Sequence, residues 1–199
     1  MEDNVFNQMA AKYDTEDRKE LANVIANEIN RILDGKNYYS LLDYGGGTGL
    51  VTFQIAKHFN EILLLDSSHE MIKVAQSKID PKQDYNFEAR QLNLMEDNDL
   101  GFKADVIILS LVLLHIPDIE TLLQKLFNVL NKDGMLILID FDKNESIYHP
   151  KVHNGFVQNE IMELLTKIGF HDIEMHTFYH GKNIFMNKDA SLFSSISKK

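Results

Sequence analysis

Apolar positions along the chain fall into two alternating periods. Leu21, Val24, Ile25, Ile29, Ile32 and Leu33 recur at helical spacing and predict a helix that Gly35 ends. Tyr38–Asp43 predicts a first strand, and after Gly49 a helix carries Val51, Ile55 and Phe59. Ile62–Asp66 reads as a buried second strand. Ser67, with Glu70 three residues on, reads as a capping box that opens the next helix. A short strand over Tyr85–Leu92 follows, then a central one over Ala104–Leu111, apolar on both faces as parallel strands are. Ile119, Leu122, Leu123, Leu126 and Leu130 form a helical stripe, and Asn131–Gly134 predicts a turn into a fifth strand at Met135–Phe141. Ile161, Leu164, Leu165 and Ile168 mark another helix, closed by Gly169. Beyond it the pattern predicts two strands joined around His180-Gly181. Ser191–Lys199 is the least strand-like stretch, because serines stand where a buried strand should be apolar. Strands alternating with helices predict an α/β fold with a mainly parallel sheet.

Composition narrows the chemistry. The 199 residues contain no cysteine, which excludes disulfides, thiolate metal sites and a cysteine nucleophile. The longest apolar stretch, Val106–Leu114, is broken by Ser110 and is far short of the about 20 residues that span a bilayer. No basic region leads into an apolar run at the N-terminus, so a cytoplasmic location is expected. Twenty basic against thirty acidic residues give a net charge of −10, which disfavours nucleic acid as a partner and favours a cationic ligand. His149/His153 and His176/His180 are spaced as helical metal ligands would be. Pro150 interrupts the first pair and a strand-like pattern surrounds the second, so no metal is expected.

The most informative stretch is Asp43-Tyr44-Gly45-Gly46-Gly47-Thr48-Gly49-Leu50, set between a strand and a helix. Glycines there let backbone approach a ligand, and a helix start offers unpaired N–H groups. A phosphate-cradling loop needs lysine after its last glycine, but Leu50 follows Gly49. The dinucleotide fingerprint needs glycines at its first, third and sixth positions, and neither register provides them.

What fits is Asp-x-Gly-x-Gly-x-Gly at Asp43, Gly45, Gly47 and Gly49, and here the sequence resembles the class I S-adenosylmethionine-dependent methyltransferases, especially their small stand-alone members. Asp66 ends the second strand as that family's ribose-binding acid does. Ala104–Ile108 is similar to the family's fourth strand, and Leu130–Leu136 to the turn into its fifth. Phe6–Asp14 is similar to the aromatic-rich segment that covers the cofactor in many members. The resemblance implies a Rossmann-like fold with a seven-stranded, mostly parallel sheet, helices on both faces and a C-terminal pair that includes one antiparallel strand. It further implies one methyltransferase domain over 1–199: an N-terminal helical cap segment (1–37), a cofactor-binding core (38–141), and a substrate-side loop, helix and strand pair (142–199). Substrate is expected to enter between the N-terminal segment and residues 142–156.

The resemblance also assigns roles. S-adenosylmethionine would be the cofactor and S-adenosylhomocysteine the product. Gly45 and Gly47 would carry backbone past the ligand, Asp43 would meet its ammonium, and Asp66 would accept both ribose hydroxyls. Met71 and the Leu94 N–H would face the adenine. Asn93 stands where the family has an adenine-contacting acid and can still accept through its amide oxygen. Tyr13 would lid the methionine end; Ser67 and Ser110 complete the candidate cofactor contacts. His115 and His153 are the candidate bases. The polar-Pro-Pro-aromatic motif of enzymes that methylate amino groups of adenine or glutamine is absent at Ser110–Leu113, so a small-molecule acceptor, methylated on oxygen, nitrogen or another soft nucleophile by in-line displacement, is expected. Two alternatives stay open at this point: a nucleotide-dependent oxidoreductase, and a non-catalytic cofactor-binding regulatory module.

Overall fold

The computed structural model describes residues 3–96 and 101–199. Two compact units are present, Met1–Asp99 and Leu100–Lys199. The strands form one seven-stranded sheet in the order β3-β2-β1-β4-β5-β7-β6.

In the first unit, α1 (Asp3–Met9) runs through a 3-10 turn (Ala10–Lys12) toward α2 (Glu16–Leu33). Thr15 caps α2, its hydroxyl accepting the Arg18 N–H, and the helix buries Ala22, Ile25, Ala26, Ile29, Ile32 and Leu33. Gly35 follows with φ +68°, the left-handed stop expected of it. Strand β1 (Ser40–Tyr44) is buried along its whole length. It pairs in parallel with β2 (Glu61–Asp66), which pairs in parallel with β3 (Asn86–Gln91).

Two expectations for this unit need correction. The helix after Gly49 is short: α3 covers only Thr52–Ile55, and Ala56–His58 continues as 3-10 turn. Phe59, expected on that helix, is extended and buried in the core. The capping box is displaced by one residue. Ser68, not Ser67, caps α4 (His69–Ser77), its hydroxyl accepting the Met71 N–H at 3.2 Å, while Glu70 pairs with Lys73 at 2.8 Å. The cause is Asp66, whose Oδ1 takes the Ser68 N–H at 2.8 Å and forms a turn ahead of the helix.

The second unit contains β4 (Ala104–Ser110), a 3-10 turn (Leu113–His115), α5 (Ile119–Val129), β5 (Leu130–Phe141), α6 (Gln158–Ile168), β6 (His171–Phe185) and β7 (Lys188–Lys198). Helix α5 buries Leu122, Leu123 and Leu126; α6 ends at Gly169, whose φ is +118°. Strands β4 and β5 pair in parallel, whereas β7 is antiparallel to both β5 and β6. Among the described residues, β7 thus runs antiparallel to its neighbours in a mostly parallel sheet, as the resemblance implies.

Here too the boundaries differ from expectation. Leu130 does not close the α5 stripe; it opens β5 opposite Ala104. The predicted Asn131–Gly134 turn is a bulge inside the strand, where pairing jumps from Ala104↔Leu130 to Val106↔Met135 and Asp133 takes φ +61°. The β6–β7 connection is not at His180-Gly181. Those residues lie within β6, opposite Ser191 and Ala190, and the turn is Met186-Asn187, both at positive φ as two-residue hairpins require. Gly181 marks crowding instead: a Cβ there would lie 2.7 Å from Ile184 and from Tyr179. The serine-rich stretch is a fully paired strand, with Ser194, Ser195 and Ser197 buried. Among the described residues, no helix is long and apolar enough to cross a membrane.

Candidate functional site

Strand β1 delivers Asp43 to its end, and the chain then turns through four glycines. Gly45, Gly47 and Gly49 all hold positive φ (+75°, +57° and +82°), which explains three of them without reference to a ligand. Gly46 answers to space: a Cβ would lie 2.8 Å from Asp43 Oδ2 and from Leu64 Cγ. The loop therefore rests directly on the Asp43 carboxylate.

Asp43 is 1% exposed. Thr52 donates its hydroxyl to Oδ2, while Oδ1 has no partner among the described residues. Burial pushes this carboxyl up to about 6, against the Thr52 hydrogen bond that lowers it, and the nearby Asp66 charge adds to the rise. An orphaned, buried acceptor of negative charge is what a ligand ammonium would complete.

Asp66, at the end of β2, is held by two main-chain donors. The Gly47 N–H donates to Oδ2 at 2.9 Å and the Ser68 N–H to Oδ1 at 2.8 Å. The residue is only half-buried, and a carboxylate oxygen can accept more than one hydrogen bond. A Cβ on Gly47 would meet nothing nearer than Asp66 Oδ2 at 4.0 Å, so the space beside the carboxylate is open. These groups fit a molecule that carries both an ammonium and a diol.

The other predicted contacts of this unit are in varied states. Gly45 spends its N–H on Leu65 O at 2.7 Å. Met71 is buried within α4. The Leu94 N–H donates to the Tyr44 hydroxyl at 3.3 Å. Asn93 is turned onto its own loop, Oδ1 accepting the Met95 N–H at 3.0 Å and Nδ2 donating to Glu96 at 3.1 Å. Ser67, half-buried, accepts from Gln91 through its carbonyl at 3.0 Å. Burial raises the Tyr13 hydroxyl, with Arg18 opposing and the Asp66 and Asp14 charges reinforcing; Arg18 lies 4.0 Å over the ring. Tyr13 and Asp66 thus share one neighbourhood.

Five polar residues that the sequence does not mark tie the N-terminal segment to the glycine loop and to the start of α4. Thr48 donates its hydroxyl to Asp14 Oδ1 at 2.5 Å; Lys78 reaches Asp14 Oδ2 at 2.6 Å and Thr48 O at 2.8 Å. Ser68 donates its hydroxyl to Asn7 Oδ1 at 2.7 Å. Only the resemblance of Phe6–Asp14 to a covering segment hints at this, because the partners are far apart in sequence.

In the second unit, Ser110 ends β4 opposite Ile139. Leu111 then adopts φ +56° and donates its N–H to Ile139 O at 2.9 Å, a sharp turn leading to Leu113–His115. His115 is half-buried; burial, helped by the neighbouring His149, holds its ring down at about 4, so it is neutral at physiological pH. His153 sits on the long 142–156 connection. Its main-chain N–H donates to Leu114 O at 2.9 Å and its ring Nε2 lies 3.0 Å from Ile116 O. A carbonyl only accepts, so Nε2 carries the proton, and Nδ1 has no partner among the described residues. The structure thus sets His149 near the His115 ring and ties His153 to the turn that ends in His115. His176 and His180 instead face serines across the hairpin, His180 at 2.7 Å from Ser191 Oγ.

Comparison with known proteins agrees with this geometry. A family model described as a methyltransferase domain matches residues 42–136, just under half the chain. The mitochondrial ubiquinone biosynthesis O-methyltransferase of Bos taurus is 33% identical over 111 residues, 54% of this chain and 30% of its own length. The ubiquinone/menaquinone biosynthesis C-methyltransferase UbiE of Azotobacter vinelandii is 25% identical over 96% of this chain and 78% of its own. The chain spans less than a third of the bovine relative's length. Among solved structures, the N-methyltransferase NodS of Bradyrhizobium japonicum, in complex with S-adenosylhomocysteine, shares the fold with a TM-score of 0.70 at 14% identity, covering 94% of this chain and 89% of that one. Sheet order, glycine loop and sequence relatives converge: this chain is similar to the class I S-adenosylmethionine-dependent methyltransferases, whose cofactor is S-adenosylmethionine.

Proposed function

We propose that the chain works as one methyltransferase domain that transfers a methyl group to a small-molecule acceptor in the cytoplasm. The observation that carries this reading is the half-buried Asp66 carboxylate, oriented by the Gly47 and Ser68 N–H groups beside the open space at Gly47. When bound, S-adenosylmethionine supplies a methyl group on a positively charged sulfur, activated for in-line displacement. Asp66 would accept the ribose hydroxyls, and Asp43 would balance the ammonium from beneath the loop. Gly47 would leave room for the ligand's middle, and Tyr13 would shield its methionine end. Met71, Leu94 and Asn93 would border the adenine, with Ser67 and Ser110 at the strand ends completing the contacts.

On the acceptor side, His115 is held unprotonated and would accept a hydrogen bond from the acceptor's O–H or N–H. His153 is exposed, with its ring oriented by Ile116 O and Nδ1 available, so it would take the proton to solvent. The net charge of −10 supports a small acceptor over a nucleic acid. So do two relatives whose names place them in quinone biosynthesis.

Isothermal titration with S-adenosylmethionine, S-adenosylhomocysteine and NAD tests the reading. Saturable binding of the first two, weakened in Asp66→Ala, is expected. Binding of NAD alone would transfer the site to nucleotide-dependent oxidoreduction.

A further inference from the structure

Asp140 is fully buried near the end of β5, in the apolar run Met135–Phe141, and no role described so far uses it. A buried carboxylate costs stability unless its oxygens are hydrogen-bonded, and an apolar residue would serve packing alone at least as well. Among the described residues, the hydrogen bonds to its oxygens come from main chain. The Phe141 N–H donates to Oδ1 at 2.8 Å, the Leu114 N–H donates to Oδ2 at 3.3 Å, and the Leu113 N–H also donates. Leu113 and Leu114 are the first two residues of the turn that ends in His115. A turn start leaves such N–H groups without partners, and its cap residue, Val112, offers no side-chain acceptor.

We propose that Asp140 is a positioning residue: from β5 its carboxylate caps the Leu113–His115 turn and so sets where the His115 imidazole lies. The turn is gripped from β5 at two points. Ile139 O takes the Leu111 N–H, holding that residue at φ +56°, and Asp140 takes the next donors. From the other side, His153 closes on Leu114 O and Ile116 O. Asp140 exposes no atom to a ligand, so its influence passes through the turn. Its carboxyl is pushed up to about 7 by burial, with the three N–H bonds pulling the other way, so its charge changes within an accessible pH range. The proposal rests on the reading of His115 as an acceptor-facing ring.

The test is NMR of the full chain, with labelled amides and histidine rings, from pH 5.5 to 8.5. His149, whose charge acts on the same ring, is replaced by alanine in every sample. The amide signals of Leu113, Leu114 and Phe141 and the ring signals of His115 are expected to shift in one shared transition near pH 7. That transition should be lost in Asp140→Asn. Amides that titrate while the His115 ring stays still would overturn the proposal, as would a His115 shift that persists in Asp140→Asn. Should that variant not fold, the shared transition in the Asp140-containing protein decides alone. S-adenosylhomocysteine titration runs alongside: loss of that binding with the shared transition intact would count against the methyltransferase reading, not against the coupling.

Discussion

Asp66 and Asp140 are both carboxylates at the ends of buried parallel strands, and both are held by main-chain N–H groups. They differ in exposure. Asp66 is half-buried, the Gly47 and Ser68 N–H groups reach it from the loop and turn beside it, and it borders the open space beside Gly47. Asp140 is sealed in the core and directs its oxygens at the chain itself. Strand-end carboxylates thus serve two ends, ligand recognition and backbone bracing, and exposure decides which. Asp43 stands between them: it is buried, yet one oxygen has no partner among the described residues.

The largest expected effect lies in ligand binding. Asp66→Ala removes two charge-assisted hydrogen bonds to a ligand diol, each worth roughly 1.5–3 kcal/mol, so S-adenosylhomocysteine should bind at least about 100-fold more weakly by titration calorimetry. His115→Asn should leave that affinity within about twofold. Equal losses in the two variants would erase the division between the units.

The next effect is on stability against pH. The folded Asp140 carboxyl lies above its ordinary value, at about 7. Its contribution is therefore present at low pH and lost as pH rises toward 7. Relative to Asp140→Asn, the parent chain should lose up to about 1.4 kcal/mol per pH unit between pH 4 and 7. His115 runs the other way. Its folded value is depressed to about 4, so its contribution is present above about pH 6.5 and falls away in acid. His115→Asn should gain stability over the parent at pH 5. Urea midpoints at four pH values check both, and parallel curves for all three proteins would refute the assignment.

A smaller effect concerns the N-terminal segment. Lys78→Met breaks the partly buried pair with Asp14, also releasing Thr48 O, and should cost about 1 kcal/mol. S-adenosylhomocysteine should then dissociate several-fold faster in stopped-flow measurements, and salt should narrow the gap. Smallest is Ser195→Ala, which deletes a buried hydroxyl lacking a partner among the described residues. It should leave the melting temperature unchanged or raise it, by up to about 1 kcal/mol of stability; a large loss would reveal a hidden partner.

How much of this the sequence discloses follows from how local each feature is. Asp43, the glycine loop and Asp66 form short motifs at strand ends, so their placement is legible residue by residue. The Asp14–Thr48–Lys78 tie joins three segments with no periodic or spacing signal, and only the fold assembles it. Asp140 did leave a trace, as the lone charge inside Met135–Phe141, but a pattern cannot say that its partners are the N–H groups of a distant turn. The serines of β7 misled for a related reason: hydropathy reports preference, whereas pairing with β5 and β6 dictates burial. At the hairpin, His180-Gly181 offered the conventional turn residue, yet the left-handed positions fell on Met186 and Asn187, a costlier choice invisible to composition.

The placement of β7 governs how the sheet comes together in time. It follows β6 along the chain but lies between β6 and β5, pairing Met135 with Lys198, so β6 joins the sheet only through it. The β6–β7 ribbon can zip from its tight turn within microseconds, because its contacts are local. Docking that ribbon onto β5 closes a long loop and is the slower event. Until then, the edge of β5 stays unpaired, a template for another chain's strand. Strands β6 and β7 should therefore exchange their amide hydrogens as one cooperative block, opening together when β7 leaves β5.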